Sequence, residues 1–395
     1  MKSIEERAQK LCRDFQTKGV FRRLPPDDVH LRLNLASNDY LGIVRRGLLR
    51  PSLTKHASRC GTGGGSSRLV FGNTRAHRIL EEKLADHFEY EAALVFTSGF
   101  MANYGLCSAL RELADVVLID KRVHASVVDG LMQSMGGKCE IKSFKHNDAE
   151  HYRHLSERFK GREMATITES LFSMTGHVCN RGVIEEAGQR GFLIVDEAHS
   201  LGAVKSRGKA IFGKAAGADI TIGTFGKAFG CVGGFILCSA PVHTFLVNRC
   251  RSFIFTTALP EVYAAVGTDA IDLVAGMDEE REKLAALANY LRTQLTSSGF
   301  RVSGDAHILA IYCKGAEEAV EISRRLGERG IALYAVRAPT VPPKEILLRV
   351  SLNGTLDRAD LDFLLEELQK LKREHPHLFE EDDCSPLLRQ LPLSF

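Results

Sequence analysis

The chain has no apolar run approaching the roughly 20 residues that a membrane-spanning helix needs. Its longest runs, such as Phe192 to Val195, are a few residues each, so no membrane partner is expected. The first residues, Met1-Lys2-Ser3-Ile4-Glu5-Glu6, lack the apolar centre of a signal peptide, and acids this early also argue against an organelle transit peptide. A formal charge of only +3 over 395 residues leaves no basic surplus for nucleic acid. No two of the 10 cysteines have Cys-x-x-Cys spacing, so neither a zinc site nor a thioredoxin motif is indicated. Free thiols in a reducing, cytoplasmic setting are the expectation. His146, Asp148, His151 and His154 stand close together. The reading preferred to a metal site is a helix capped by Asn147 or Asp148, with the histidines on its exposed side. Neither an internal repeat nor a low-complexity tract is present.

What is present is an ordinary globular composition, 44% hydrophobic and 26% charged, long enough for one large and one smaller domain. Ser3 and Glu6 have capping-box spacing, and Ile4, Ala8, Leu11 and Phe15 share a helical face, which predicts an amphipathic helix over about residues 1–20. Pro25-Pro26 marks a linker, and an extended piece follows at Leu31 to Leu35. From about 75 to 240, short apolar runs at Ala92–Phe96, Val116–Ile119, Ala165–Thr168, Phe192–Val195, Ile220–Gly223 and Gly234–Leu237 alternate with helical stretches such as Ala76–Phe88 and Met101–Leu113. Strands apolar on both faces, alternating with helices, predict an α/β domain with a mostly parallel sheet. Long helices are expected between Pro260 and Ser298. A smaller α+β domain follows, with strands at Val302, Ile308–Tyr312, Ile331–Tyr334 and Ile346–Val350 and helices at Ala316–Glu328 and Asp357–Lys372. The tail after His375, with its acidic Glu380 to Asp383, reads as irregular. The expected divisions are an N-terminal segment to 45, a large domain over 46–260, and connecting helices plus a small domain over 261–395.

Two segments carry chemistry. Phe192-Leu193-Ile194-Val195 runs into Asp196-Glu197-Ala198-His199, placing an acid at a strand's carboxyl end, where open α/β sheets bind ligands. The next strand runs into Thr224-Phe225-Gly226-Lys227-Ala228-Phe229-Gly230. A lysine flanked by small residues can be approached closely, as a Schiff-base lysine must be. An acid and a lysine after successive strands suit pyridoxal 5'-phosphate (PLP): the lysine takes the aldehyde, and the acid keeps the pyridine nitrogen protonated.

From about Leu33 to Ser351 the sequence resembles the α-oxoamine synthases, PLP enzymes with the aspartate-aminotransferase-like fold. The words that carry the resemblance are Ser37-Asn38-Asp39-Tyr40-Leu41-Gly42, Gly61 to Arg68, Thr97-Ser98-Gly99-Phe100-Met101-Ala102-Asn103, Val123-His124-Ala125-Ser126, Glu169 to Met174, the Asp196 and Lys227 segments, Phe253 to Thr257, and Leu348-Arg349-Val350-Ser351. The resemblance implies that Ser98, Gly99 and Phe100 hold the phosphate at a helix N-terminus. It places His124 against the pyridine ring, Glu169 and Ser173 beside the cofactor, Asp196 at the ring nitrogen and His199 at the phenolic oxygen. Thr224 reaches the phosphate. Thr256 or Thr257 reaches the phosphate of a neighbouring subunit, which implies a homodimer with shared sites. Arg349 holds the amino-acid carboxylate, with Asn38 beside it.

The implied reaction joins an amino acid to an acyl thioester with loss of carbon dioxide. Ser67 stands where the aminolevulinate-forming branch of the family carries threonine. Arg68-Leu69-Val70, Gly72-Asn73 and Phe172 are similar to the oxononanoate-forming branch, from which Phe71 departs. Gly230-Cys231-Val232-Gly233-Gly234 is similar to the aminolevulinate branch instead. The leading expectation is L-alanine with a pimeloyl thioester, on coenzyme A or a carrier protein, in biotin synthesis. The glycine C-acetyltransferase branch is the alternative, then the aminolevulinate and serine palmitoyl branches. A non-catalytic partner subunit of the same fold would lack the lysine, and Lys227 is present.

Overall fold

In a computed structural model, residues 3–18, 20–22, 24, 31–133 and 139–379 are described. The Pro25-Pro26 linker and the acidic tail lie outside them. By compactness the chain forms two units. The larger holds Asn38–Ser173 and His177–Lys283. The smaller holds the segment up to Ser37, Met174–Gly176 and the chain from Leu284 on. The helix Glu261–Ala275 thus counts with the larger unit, and the next helix, Asp278–Ser297, carries the chain across the division.

Strand β1 (Leu33–Asn34) belongs to the smaller unit. The larger unit is built on a seven-stranded sheet of β2 (Ala92–Phe96), β3 (Val116–Asp120), β4 (Glu140–Phe144), β5 (Met164–Glu169), β6 (Phe192–Asp196), β7 (Ile220–Thr224) and β8 (Gly234–Cys238). The spatial order is β2-β8-β7-β6-β5-β3-β4. Only β8 runs against its neighbours; β7, β6, β5, β3 and β4 are mutually parallel. Ile167, Ile194, Ile220, Ile222 and Ile236 join one apolar core with Leu106 and Leu110, and burying each such side chain is worth about 1.5–3 kcal/mol.

The strands predicted for the larger unit are all present, within a residue or two of the expected ends; in the smaller unit the single run expected at Ile331–Tyr334 is split into Ile331–Ala332 and Tyr334–Val336, which join different sheets. The strand that the sequence did not disclose is β4, which reads Glu-Ile-Lys-Ser-Phe. It lies at the sheet edge, where charged side chains are tolerated and discourage further pairing, so it lacks the apolar run that marks the others. Four parallel strands end on a polar residue: β3 on Asp120, β5 on Glu169, β6 on Asp196 and β7 on Thr224. The sheet's carboxyl edge is therefore lined with groups able to meet a ligand.

In the smaller unit, β9 (Val302–Ser303), β10 (Ile308–Tyr312), β12 (Tyr334–Val336) and β13 (Leu347–Ser351) form an antiparallel sheet ordered β12-β13-β10-β9, and β11 (Ile331–Ala332) pairs with β1. The helix Arg358–Glu374 starts at a capping box of Asp357 and Asp360 and buries Leu361, Leu364, Leu365, Leu368 and Leu371, the one-sided spacing of a helix packed on a core. The N-terminal helix Ile4–Thr17 forms with its Ser3/Glu6 capping box, but none of its residues is buried. Among the described residues, no helix is long and apolar enough to cross a membrane.

Candidate active site

The site is assembled at the carboxyl ends of β5, β6 and β7. Glu169 and Asp196 are register partners on adjacent strands, and Asp196 lies opposite Ile222 of β7. Lys227 follows β7 in a turn and is half-buried, between the buried Phe225 and Ala228. Its charge acts on both Glu169 and His124, so these groups share one electrostatic neighbourhood.

Asp196 is nearly buried and held at both oxygens. Its Oδ2 accepts from the Asn103 amide at 2.7 Å, and its Oδ1 accepts from the backbone N–H of Ala198 at 2.9 Å. Asn103 has no role in the sequence reading, although it ends one of the recognisable words. Its own Oδ1 is buried without a hydrogen-bond partner. Glu169 is 2% exposed. Its Oε2 accepts from the Ser173 backbone N–H at 3.2 Å, and its Oε1 is buried without a partner. Burial, reinforced by the Asp196 charge, holds the Glu169 carboxyl well above the usual range. His124 sits at the start of the helix Ala125–Gln133, with Nδ1 2.7 Å from the Ser126 hydroxyl. Burial lowers its pKa; Lys227 pushes the same way and Asp196 opposes. A neutral, flat imidazole results.

His199 is buried, and its Nδ1 lies 2.6 Å from the hydroxyl of Tyr40. That hydroxyl also lies 3.1 Å from Asn38 Oδ1, which can only accept. Tyr40 too lacked an assigned role, although it lies inside the word Ser37 to Gly42.

A helix N-terminus stands beside these groups. Ser98 caps the helix Gly99–Ala109 by accepting from the Met101 N–H at 3.2 Å. First-turn amides of a helix lack intrahelical partners and suit an anion. Glycine is required at 234, where a Cβ would lie 2.4 Å from the Gly99 nitrogen, and Gly99 is closely packed, since a Cβ there would lie 3.1 Å from the Thr224 Cβ. Thr224 is thereby brought against Ser98 and Gly99. Its hydroxyl donates to the Gly233 carbonyl at 3.0 Å and accepts from the Gly226 N–H at 3.1 Å. Phe100 is 41% exposed and lies edge-on to the His124 ring.

The remaining expected residues lie elsewhere. Ser67 and Thr257 share a second locality, because Ala258 donates its N–H to the Ser66 carbonyl at 2.9 Å and a Cβ on Gly64 would lie 2.9 Å from the Thr257 methyl. Thr256 lines a surface depression with Met101, Tyr104, Arg251, Ser252 and Phe255. Arg349 is buried on β13, the inner strand between β12 and β10 of the smaller unit.

One expectation is corrected. Asp148 does cap the helix Ala149–Glu157, accepting from the His151 N–H at 2.8 Å. His146, however, turns inward instead of lying on an exposed side. Its Nδ1 is 3.0 Å from Asp120 Oδ1 and its Nε2 is 3.2 Å from His177 Nδ1. The cause is Asp120, a fully buried carboxylate that must be partnered. Among the described residues no cluster of histidine, cysteine and acid groups could hold a metal.

The family described as aminotransferase class I and II matches residues 32–368. An 8-amino-7-oxononanoate synthase of Geotalea daltonii is 36% identical over 356 residues, 87% of this chain and 89% of that protein. One from Lysinibacillus sphaericus is 33% identical over 349 residues, 87% and 89% of the two chains. Among solved structures, a variant of the serine palmitoyltransferase of S. paucimobilis, with PLP and myriocin bound, matches with a TM-score of 0.86 and 26% identity over 95% of this chain and 100% of that one. The 8-amino-7-oxononanoate synthase of Francisella tularensis shares the fold, with a TM-score of 0.75, at 24% identity over 89% of this chain and 100% of that one.

Proposed function

Because the chain belongs to the class I and II aminotransferase family, we propose that it is a PLP-dependent acyltransferase that condenses L-alanine with a pimeloyl thioester, the 8-amino-7-oxononanoate synthase reaction of biotin synthesis. The relatives that bear this name at 33–36% identity over most of the chain support the reading. The observation that carries it is the joining of Lys227, Asp196, Glu169 and His124 in one electrostatic neighbourhood beside a capped helix N-terminus.

The residues fit PLP. The buried Glu169 Oε1 has no protein partner, which suits a place built to receive a polar group. Gly99 and Gly234 leave backbone amides bare of side chains next to Thr224, which suits a phosphate. When bound, PLP supplies an aldehyde for the lysine and a protonated ring that withdraws electrons from the bond being broken.

The chain's own groups do the rest. Lys227 Nζ would be the covalent anchor and also the base for the amino acid's α-proton. Asp196, fixed by Asn103 and Ala198, would hold the ring N–H. The flat, neutral His124 would offer a face to the ring. Glu169, with its raised pKa, would present a protonated oxygen, while its other oxygen accepts from the Ser173 backbone N–H. His199 would meet the phenolic oxygen. Ser98, Gly99, Phe100 and Thr224 would hold the phosphate. Arg349 keeps the task of binding the amino-acid carboxylate, for which its planar fork is suited, and Asn38 and Ser67 border the substrate. We assign Thr256 or Thr257 to the phosphate of a second copy of the chain, which makes the enzyme a homodimer with shared sites. The half-exposed Thr256 and exposed Thr257 support this.

The test is a spectral titration of the PLP-loaded enzyme with L-alanine, glycine, L-serine and L-threonine, each followed by pimeloyl-CoA. The expected result is saturation by alanine at the lowest concentration and a further absorbance change only when the pimeloyl thioester follows. Preference for glycine without a pimeloyl response would sink the alanine assignment and favour the glycine-using branches.

A further inference from the structure

Tyr40 is wholly buried, and its segment is pinned in place. Its N–H donates to the Asn38 carbonyl at 2.9 Å, and Asp39 accepts from the N–H groups of Val44 and Arg45 at 3.2 and 2.9 Å. The phenol is therefore held at a fixed point, 2.6 Å from His199 Nδ1 and 3.1 Å from Asn38 Oδ1.

A phenol has one proton to give. If it points at His199, Nδ1 is the acceptor and the imidazole's own proton stands on Nε2, which then donates. If it points at Asn38, His199 must donate from Nδ1 to the Tyr40 oxygen, and Nε2 becomes a bare acceptor. One O–H orientation thus decides what the far side of His199 offers. An imidazole nitrogen is a stronger acceptor than an amide oxygen, and it is also the nearer of the two, so His199 is assigned as the resting acceptor. Asn38 is the competitor for the same proton.

We propose that Tyr40 is a positioning residue that keeps the His199 proton on Nε2, facing the cofactor's phenolic oxygen, against competition from Asn38. The inference rests on the PLP reading above, in which His199 meets that oxygen. It extends that reading by explaining why a buried tyrosine lies between the histidine and a residue bordering the substrate. A phenolate oxygen needs a donor, and only the Nε2–H tautomer supplies one. Without Tyr40 both tautomers become accessible, and the donor is lost for part of the time.

The direction of the effect follows. With PLP bound, its phenolic oxygen would share a proton with the Lys227 nitrogen. Losing its donor makes that oxygen more basic, so the shared proton is held to higher pH. Removing the competing acceptor at Asn38 commits Tyr40 to His199 and acts the other way. Asp196, Glu169, His124 and Lys227, the other titratable groups of the site, are unaltered in both variants.

The experiment is a pH titration of visible absorbance on PLP-loaded native enzyme, Tyr40→Phe and Asn38→Ala, with thermal melting of each. Tyr40→Phe keeps the buried ring and is expected to raise the midpoint by about one pH unit. Asn38→Ala is expected to lower it by less. A Tyr40→Phe midpoint equal to native, or two variants shifted in the same direction, would overturn the inference. Altered melting with unmoved midpoints would make Tyr40 a packing residue and overturn it equally. If native enzyme shows no pH-dependent band at all, the PLP reading itself has failed, an outcome distinct from a native band that Tyr40→Phe leaves in place.

Discussion

At the scale of single residues, the sequence disclosed what chemistry requires and hid what orients it. Asp196 and Lys227 were legible because each directly follows an apolar strand and stands in a recognisable word. Asn103 and Tyr40 were not, because their partners are 93 and 159 residues away along the chain, and no local pattern encodes a contact through space. Asn103 gives a direct prediction. Asn103→Ala removes the 2.7 Å hydrogen bond to Asp196 Oδ2, and a hydrogen bond to a charged group is worth about 1.5–3 kcal/mol. Part of that loss falls on the cofactor, because a carboxylate with one donor instead of two can turn away from the ring nitrogen. The PLP dissociation constant of Asn103→Ala is expected to rise about tenfold, read by equilibrium titration of apo-enzyme. Native affinity in the variant would mean that Ala198 alone suffices to orient the acid.

At the scale of elements, what was legible depended on burial. Strands inside the sheet read as apolar runs because both faces are covered, whereas β4 at the edge is polar and passed unseen. Beside the same edge lies a histidine with a displaced pKa. His177 stands against His146, with Arg122 and Asp120 also acting on it. Burial, then the His146 and Arg122 charges, push the His177 pKa down to about 4, with Asp120 opposing. In the unfolded chain it titrates near 6.5, so between these values the unfolded state binds a proton that the folded state does not. The contribution of His177 is therefore complete above pH 6.5 and is lost as pH falls toward 4, a change on the order of 3 kcal/mol. His177→Gln cannot titrate. Its denaturation midpoint is expected to fall less steeply over that range than that of native enzyme, measured by urea unfolding at several pH values. Parallel pH profiles would show that the folded protein protonates His177 without cost.

At the scale of the whole molecule, the sequence placed a division at 260, but compactness carries the helix Glu261–Ala275 with the larger unit. Its residues Val262, Val266, Ala270, Ile271 and Val274 are buried on one side while Asp272 is exposed, and such an amphipathic stripe gives no sequence signal of which core it joins. A related silence concerns surfaces that only a second copy would cover. Phe71 is 90% exposed and Phe255 70%. The segments that carry them are joined by the Ser66–Ala258 hydrogen bond and the close approach of Gly72 to Ala258. Exposed phenylalanines flanked by Leu69 and Val70, themselves 50% and 66% exposed, are expensive to leave in water. The homodimer proposed from Thr256 and Thr257 accounts for them, because those threonines sit in the same locality and would face the partner along with the aromatic rings. Phe71→Asp should leave the melting of the isolated chain nearly unchanged, since the ring packs on little of its own subunit. It should nonetheless weaken association by roughly 2–3 kcal/mol for each ring withdrawn from an apolar contact, and a symmetric pair contributes two. Sedimentation velocity over a dilution series reads this directly: native chain runs as a dimer, Phe71→Asp as a monomer at low micromolar concentration. Loss of PLP affinity in step with dissociation ties the interface to the shared phosphate site. A monomeric Phe71→Asp chain that binds PLP as native does would leave the interface standing and remove Thr256 and Thr257 from the site.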